Sequence, residues 1–426
     1  GRGFPKVWTG GMHYSDKWNE DKHHLGANYR YAKQNIESID NTFTQVILPE
    51  DQQFTNQRQD EFKTGQRHKV DALYEWKIDS LTTLRFNASG NYSNSQNRSD
   101  FRMQNLDSDG DTLLTNDRLV TNDATTKRVI SSLSLMKKFN KKRRTLIGTL
   151  SERYEESESL GFLKSTNRFT ANGTETTDQR KDNANNGLVL DGGLTYTEPI
   201  TKAMAVSLEY KLSVNNSSSE RNTYNKQNSN ADVYDKLDST FSNNYAYNIV
   251  TNRGGTNLSW DYKKLDFSAG VAVANTNFTQ HDRRADTLFS YGVVNLFPKA
   301  MIKYELSKQS SIRLNYYGNT RQPTIQQIQP VQDNTNPNNI AEGNANLTQE
   351  FRNSFSINGN DYKVLTGRWI YVWGSFNLVD NAITRSETID SSGKRTYQYI
   401  NVDGNYNGYF GGGIGKRITG TDMSVG

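Results

Sequence analysis

The feature that most constrains this chain is a two-residue alternation of apolar and polar side chains that recurs along its length. From Met204 to Val214, Met204, Val206, Leu208, Tyr210, Leu212 and Val214 share one face of an extended chain. Ala205, Ser207, Glu209, Lys211 and Ser213 share the other. A helix would scatter these apolar residues around its circumference, whereas a strand gathers them on one side. The same pattern runs through Val70–Ile78, Leu84–Tyr92, Ile312–Tyr316 and Ile400–Phe410. No apolar run approaches the ~18 residues of a membrane helix. A transmembrane β-strand needs only ~9–11 alternating residues, so the pattern suits a membrane barrel.

Turn signals punctuate the alternation near Ser15–Asn19, Ile78–Ser80, Asn140–Arg143, Glu198–Lys202, Lys263–Lys264, Ser307–Ser310, Val364–Gly367 and Lys416–Gly420. They recur roughly every 45–63 residues, too long a step for the hairpins of a small sheet. Long polar stretches lie between them: Gln34–Arg67, Ser95–Ala124, Glu155–Asn185, Asn215–Gly254, Asn277–Ser290, Gly318–Arg352 and Thr384–Arg395. Short connections at one end and long loops at the other are the asymmetry of outer-membrane barrels, with short periplasmic turns and longer outer loops. The expected fold is all-β, a large antiparallel transmembrane barrel of about 16 strands in meander order. Its lipid face should carry Met204, Val206, Leu208, Tyr210 and Leu212, and its lumen Glu209 and Lys211. Tyr14, Trp76, Tyr196, Tyr262, Tyr304 and Tyr362 sit just before short turns, where an interfacial aromatic girdle is expected. A soluble β-sandwich is the weaker reading, because it needs no long polar loops at one end only.

Composition fits the barrel. Hydrophobic residues are 33% of 426 residues and mean hydropathy is −0.85, poor for several compact cores. Yet aromatics reach 11%, which does not suit a disordered chain. Lys+Arg 51 against Asp+Glu 46 leaves a mild +5 spread along the chain. The densest basic run, Lys137–Arg144, has no aromatic platform and no repeat, so nucleic-acid binding is not expected. Outer-membrane lipid is the expected partner surface. With no Cys, disulfides, thiolate metal sites and a Cys nucleophile are excluded.

One segment carries a family resemblance. Asn315-Tyr316-Tyr317-Gly318-Asn319-Thr320-Arg321-Gln322-Pro323, followed by Gln327-Ile328-Gln329-Pro330, resembles the "TR-x-P…QL-x-P" segment of TonB-dependent outer-membrane receptors. The likeness is greatest to the outer-membrane β-barrel family abundant in Bacteroidetes. It continues through Asp333 and Pro337 to Gly343-Asn344-Ala345-Asn346-Leu347-Thr348-Gln349-Glu350, similar to that family's "GNP-x-LKPE". Ala345 stands where the family has Pro, and Thr348-Gln349 where it has Lys-Pro.

The resemblance implies a transport barrel for a scarce nutrient such as a siderophore, glycan or peptide. A passive or structural outer-membrane barrel is the alternative, and a secreted β-rich adhesin a weaker third. It also implies a plug domain, an N-terminal segment contacting TonB, and a barrel of about 22 strands. Residues 1–426 would then be a partial barrel domain, without signal peptide, plug or final strands. Edge strands near Val7–Tyr14 and at Met423 would lack partners.

Other motifs weigh less. Asp107-Ser108-Asp109-Gly110-Asp111 fails as an EF-hand, since Arg118 and Thr112 stand where Glu and Gly are needed; a hairpin tip is expected. Gly408, Gly411, Gly412, Gly413 and Gly415 have no following helix to receive a phosphate, and suit a strand approached closely by another surface. None of the five His has the spacing of a helical zinc site, and His281-Asp282 alone is thin support for catalysis. No enzyme activity, metal or cofactor is expected. The candidate ligand residue is Arg321, which either pairs with a neighbouring carboxylate or faces the lumen to hold an anionic or hydroxylated ligand.

Overall fold

The computed structural model describes residues 3–47, 52–170, 173–226, 233–328, 332–336, 338–389, 394–418, 420–421 and 423–426. The first staves are β1 (Phe4–Trp18), β2 (His23–Ile47), β3 (Gln52–Lys77), β4 (Thr82–Leu106) and β5 (Thr112–Lys138). They are followed by β6 (Thr145–Phe169), β7 (Gly173–Pro199), β8 (Met204–Lys226), β9 (Tyr234–Leu237) and β10 (Asn243–Tyr262). Next come β11 (Leu265–Asp282), β12 (Thr287–Ser307), β13 (Ser310–Arg321), the short α1 (Ile325–Ile328), β14 (Gln332–Asp333) and β15 (Asn339–Glu342). The chain ends with β16 (Glu350–Lys363), β17 (Arg368–Asp380), β18 (Ala382–Ile389), β19 (Arg395–Val402), β20 (Asn405–Arg417) and β21 (Ser424–Val425).

Seventeen of these strands form one sheet. Each is antiparallel to the next, in meander order. β9 and β10 pair with the same edge of β8 and are two stretches of one stave, so the 17 strands make 16 staves. The short turns fall close to where the sequence places them, except that the first, expected at Ser15–Asn19, lies at Asn19–Lys22, because Ser15–Trp18 stay paired with β2. Among the described residues the sheet is open: β1 pairs only with β2, and β21 only with β20.

The register sorts the two faces. Leu208 lies opposite Tyr196 and Leu258 opposite Val206, so apolar residues of neighbouring strands form continuous rows. Leu208 is 56% exposed and Tyr210 49%, as side chains meant for hydrocarbon should be when no lipid is present. Glu209 lies on the other face, where Lys299 reaches it from β12 at 3.3 Å, across Gly255 and Ala272 of the two strands between. Lys211 pairs with Asp191 at 3.2 Å. The charged face is therefore the concave one.

The structure corrects two expectations and sharpens two others. First, most of the long polar stretches are strand rather than loop. β2 to β7 are 25–27 residues long, about 85 Å at ~3.3 Å per residue. Ile47 pairs with Gln52, and Phe169 with Gly173, so Gln34–Arg67 and Glu155–Asn185 are paired strand as far as those residues; 48–51 and 171–172 lie outside the described set. Ser95–Ala124, Asn215–Gly254 and Asn277–Ser290 likewise continue the staves. Beyond the membrane both faces meet water, so the apolar period disappears while the backbone ladder persists. Thr384–Arg395 lies within the β18–β19 hairpin, whose residues 390–393 lie outside the described set. Among the described residues two segments leave the staves: the part of Gly318–Arg352 between β13 and β16, and the β18–β19 hairpin between β17 and β20, which pairs with it through β15 and β19.

Second, Tyr362 is not on the lipid face. It lies opposite Trp369, while the lipid-side row runs through Ile357 and Gly374. Third, the glycine-rich strand β20 is covered by its own neighbour. A Cβ at Gly411, Gly413 or Gly415 would come within 2.4–2.6 Å of the rings of Trp373, Tyr371 and Trp369. Fourth, the basic run Lys137–Arg144 is tied into the neighbouring short turns. Lys141 and Arg144 bind Glu198 at 2.5 and 2.7 Å, and Arg143 binds Asp261 at 2.8 Å, tying adjacent short turns together.

Arginine in place of Leu208 should cost about 2–4 kcal/mol of barrel stability, as a charge near the midplane on the lipid face does. Ser207→Arg, on the opposite face, should cost well under half of that. Denaturant unfolding of the full-length protein in lipid measures both, and equal losses would overturn the register.

Candidate functional site at the barrel mouth

At the end remote from the short turns, the excursion between β13 and β16 folds back onto the concave wall. Its anchor is a carboxylate. Arg321, the last residue of β13, faces Glu350, the first of β16. Its guanidinium grips both carboxylate oxygens, Nε to Oε1 at 2.8 Å and Nη2 to Oε2 at 3.1 Å. Arg352 adds a 3.5 Å contact, and the Ile383 backbone N–H donates to Oε2 at 3.2 Å. The Glu350 side chain is 2% exposed, whereas that of Arg321 is 57% exposed. The pair thus buries the acid and leaves its partner at the edge of water.

From this anchor the motif residues build a compact cover. Pro323 is buried. Gln327 accepts from the Thr324 backbone N–H at 2.9 Å, capping the single turn α1. The Gln327 carbonyl then accepts from the Asn344 N–H at 2.7 Å, joining the two halves of the motif. Asn344 donates from Nδ2 to the Tyr399 carbonyl and accepts from the Asn346 N–H, while Gly343 is buried beside it. Ile328 and Leu347 thereby enter a core with Tyr245, Tyr247, Ile249 and Phe278 of the wall. Burying two such aliphatic side chains contributes roughly 1.5–3 kcal/mol each. Pro330 and Pro337 lie outside the described residues.

The far side of the cover is held by polar contacts. Asn338 and Asn167 exchange amide hydrogen bonds at 2.9 and 3.1 Å. Asn116 Nδ2 donates to Asn167 Oδ1 at 2.7 Å. Lys181 donates to Asn334, and Asn334 donates to Gln179 at 2.9 Å. Arg221 lies 3.5 Å from Asp333, and beside the cover Lys394 of the β18–β19 hairpin lies 2.7 Å from Glu175. These wall residues stand beyond the membrane-crossing part of β5 to β8. Burial pushes the Lys181 ammonium down to about 8, against the pull of Asp333. Burial pushes the Asp333 carboxyl up, but Arg221, Lys181 and the Thr335 hydrogen bonds bring it below its usual value. Burial likewise brings Arg118 down to about 10 as it lies 4.2 Å over the Phe101 ring.

The cover thus joins Arg321, Pro323, Gln327, Asp333, Gly343, Asn344, Leu347 and Glu350 in one structure. Asn116, Asn167, Lys181, Arg221 and Asn338 gave no signal in the sequence, because their contacts link segments far apart in the chain.

The comparisons with known proteins fit this geometry. The family model described as "Outer membrane protein beta-barrel family" matches residues 137–419. The chain belongs to that family. It is an outer-membrane barrel protein, and the apolar rows face lipid. No curated protein sequence matches it. Among solved structures, it is similar to the copper transporter OprC at TM-score 0.53 and 10% identity, covering 99% of this chain and 59% of that one. It is also similar to the ferric citrate transporter FecA in unliganded form, at 0.54 and 10%, covering 97% and 55%. A third is the ferripyoverdine receptor of the outer membrane of Pseudomonas aeruginosa, at 0.52 and 11%, covering 93% and 54%. At such identity the likeness shows the fold. The barrel chain spans little more than half the length of these proteins.

Glu350→Ala should loosen the cover by about 3 kcal/mol, since it strips a buried acid from two guanidinium groups and a backbone N–H. Arg352→Ala, which removes only a 3.5 Å contact made by a largely exposed guanidinium, should cost about 1 kcal/mol or less. Protease nicking within residues 322–349 on intact cells, compared at equal surface abundance, measures both; a reversed order would overturn Glu350 as the anchor.

Proposed function

We propose that this chain is the barrel of an outer-membrane transporter for a scarce nutrient, and that the mouth cover is the element that yields when cargo enters. The observation that carries this reading is the asymmetry of the cover. One flank is seated on an apolar core, and the other is held by amides and ion pairs that water can replace. Unpaired groups at the wall and cover point the same way. Asn295 Nδ2 of the wall and Gln322 Oε1 of the cover are buried without a hydrogen-bond partner among the described residues. Such groups are costly when covered and recover water or ligand partners when uncovered.

The fold shared with copper, ferric citrate and ferripyoverdine proteins supports transport over a passive barrel. Under this proposal a plug and further staves of the same protein complete the wall, and TonB is the energising partner. Residues 1–426 then form a partial barrel domain, and the cargo class stays open among siderophore, glycan and peptide. Arg321 remains the candidate for first contact with an anionic or hydroxylated cargo, its guanidinium exposed beside the acid it holds. In full-length protein at normal surface abundance, Arg321→Ala should then weaken cargo binding; unchanged binding would leave it the role of holding Glu350.

The natural absence of Cys allows a clean test of the gate. Asn167→Cys with Asn338→Cys can be bridged across the polar flank by a one-carbon bis-methanethiosulfonate cross-linker, since a reciprocal amide pair holds the two Cβ atoms too far apart for a direct disulfide. Growth-supporting uptake should fall at least about tenfold when the bridge is formed and return on reduction, with either single variant unaffected. Uptake indifferent to the bridge would remove the cover from the transport path.

A further inference from the structure

We propose that the lipid-facing side of β12, β13, β16, β17 and β20 holds one anionic phospholipid, its acyl chain in a built groove and its phosphate on a lysine rim. The groove has a volume of about 390 Å³. Its two walls are adjacent cross-strand rows. Leu314, Ile357 and Phe410 form one, and Tyr316 and Phe355 the other, with their rings stacked at 4.9 Å. Gly374 is the floor. A Cβ there would lie 2.3 Å from the Phe410 ring, so only glycine lets that ring lie across the strand. Rows on one face are about 6.7 Å apart, and five strands span about 19 Å, dimensions that suit an extended hydrocarbon chain.

The same face turns basic toward the short turns. On β16, Ile357, Gly359, Asp361 and Lys363 share a side, and on β20, Phe410, Gly412, Ile414 and Lys416 do. Asp361 is taken by Arg368 at 2.6 Å. Lys363, Lys416 and the turn residue Lys308 are exposed and have no ion-pair partner among the described residues. Lys363 lies six residues from Ile357, about 20 Å along the strand. With a strand tilt of about 40° this becomes ~15 Å of depth, half of a ~30 Å hydrocarbon core. A phosphate at the lysines therefore places its acyl chain at the level of the groove. Short turns of such barrels face the periplasm, so the occupant comes from the phospholipid leaflet on that side. The lysines select an anionic headgroup.

The test uses the full-length protein, purified in detergent, stripped of lipid and titrated with phosphatidylglycerol or phosphatidylethanolamine. Native mass spectrometry counts the adducts, and a heat-modifiable band confirms folding. The wild type should retain one phosphatidylglycerol, at a concentration about 30-fold below that needed for phosphatidylethanolamine, the effect of two lysines near an anionic group. Lys363→Gln with Lys416→Gln should abolish that preference, and Lys363→Arg with Lys416→Arg should restore it. Ala300→Phe, which fills one end of the groove, should weaken retention of both lipids. Unchanged retention in either the glutamine pair or A300F would overturn the proposal. So would an excess of bound lipopolysaccharide over phospholipid on the wild type.

Discussion

The whole structure depends on one requirement: in hydrocarbon, every backbone N–H and C=O must be hydrogen-bonded within the protein. A helix meets it within one segment, but among the described residues no helix is long and apolar enough to cross a membrane. It meets the requirement between strands instead. The ladder of β1 to β20 is continuous through the turns, and side chains are then free to differ on the two faces. That freedom lets a chain with a mean hydropathy of −0.85 be a membrane protein. Only one face of one part of each stave touches lipid, and the rest is solvated.

The same ladder explains the length of the staves. A sheet paired in the membrane continues outward at little cost, since each further pair adds hydrogen bonds and cross-strand contacts such as Arg128–Glu155 and Arg168–Asp117. The outer half becomes a continuously paired wall at the mouth. Against that wall the β13–β16 excursion finds both an apolar seat at Phe278 and polar ties at Asn167 and Lys181. Glu350 is where the two systems meet, being both the start of a stave and the anchor of the cover. Under the proposed function, this division of contacts is what lets the cover yield while the wall stays paired.

Faces and turns were legible because the signal is local. The parity of Met204 to Leu212 is fixed by the two-residue repeat, and a wrong register would carry Glu209 and Lys211 into lipid. Polar stretches such as Glu155–Asn185 were misread because propensity measures fit to a half-buried surface, and these residues face water on both sides. Tyr362 was misplaced because adjacency to a turn says nothing about parity. The glycines of β20 were read correctly as a close approach, but the approaching surface, the rings of Trp369, Tyr371 and Trp373, belongs to the next strand and is visible only once the strands are paired.

The sequence by itself determined the antiparallel meander, its turns, the lipid and lumen faces and the importance of the segment from Arg321 to Glu350. Each rests on spacing along the chain or on a contiguous motif. The tertiary structure decided where that segment goes. Asn167 and Asn338 are 171 residues apart and Lys181 and Asn334 are 153 apart, so no local pattern could pair them. It also decided that Arg321 spends its charge on Glu350, because the register sets the two residues opposite each other across neighbouring strands. Strand pairing is a long-range choice. It converts residues with no pattern of their own into a wall, a cover and a lipid-facing groove.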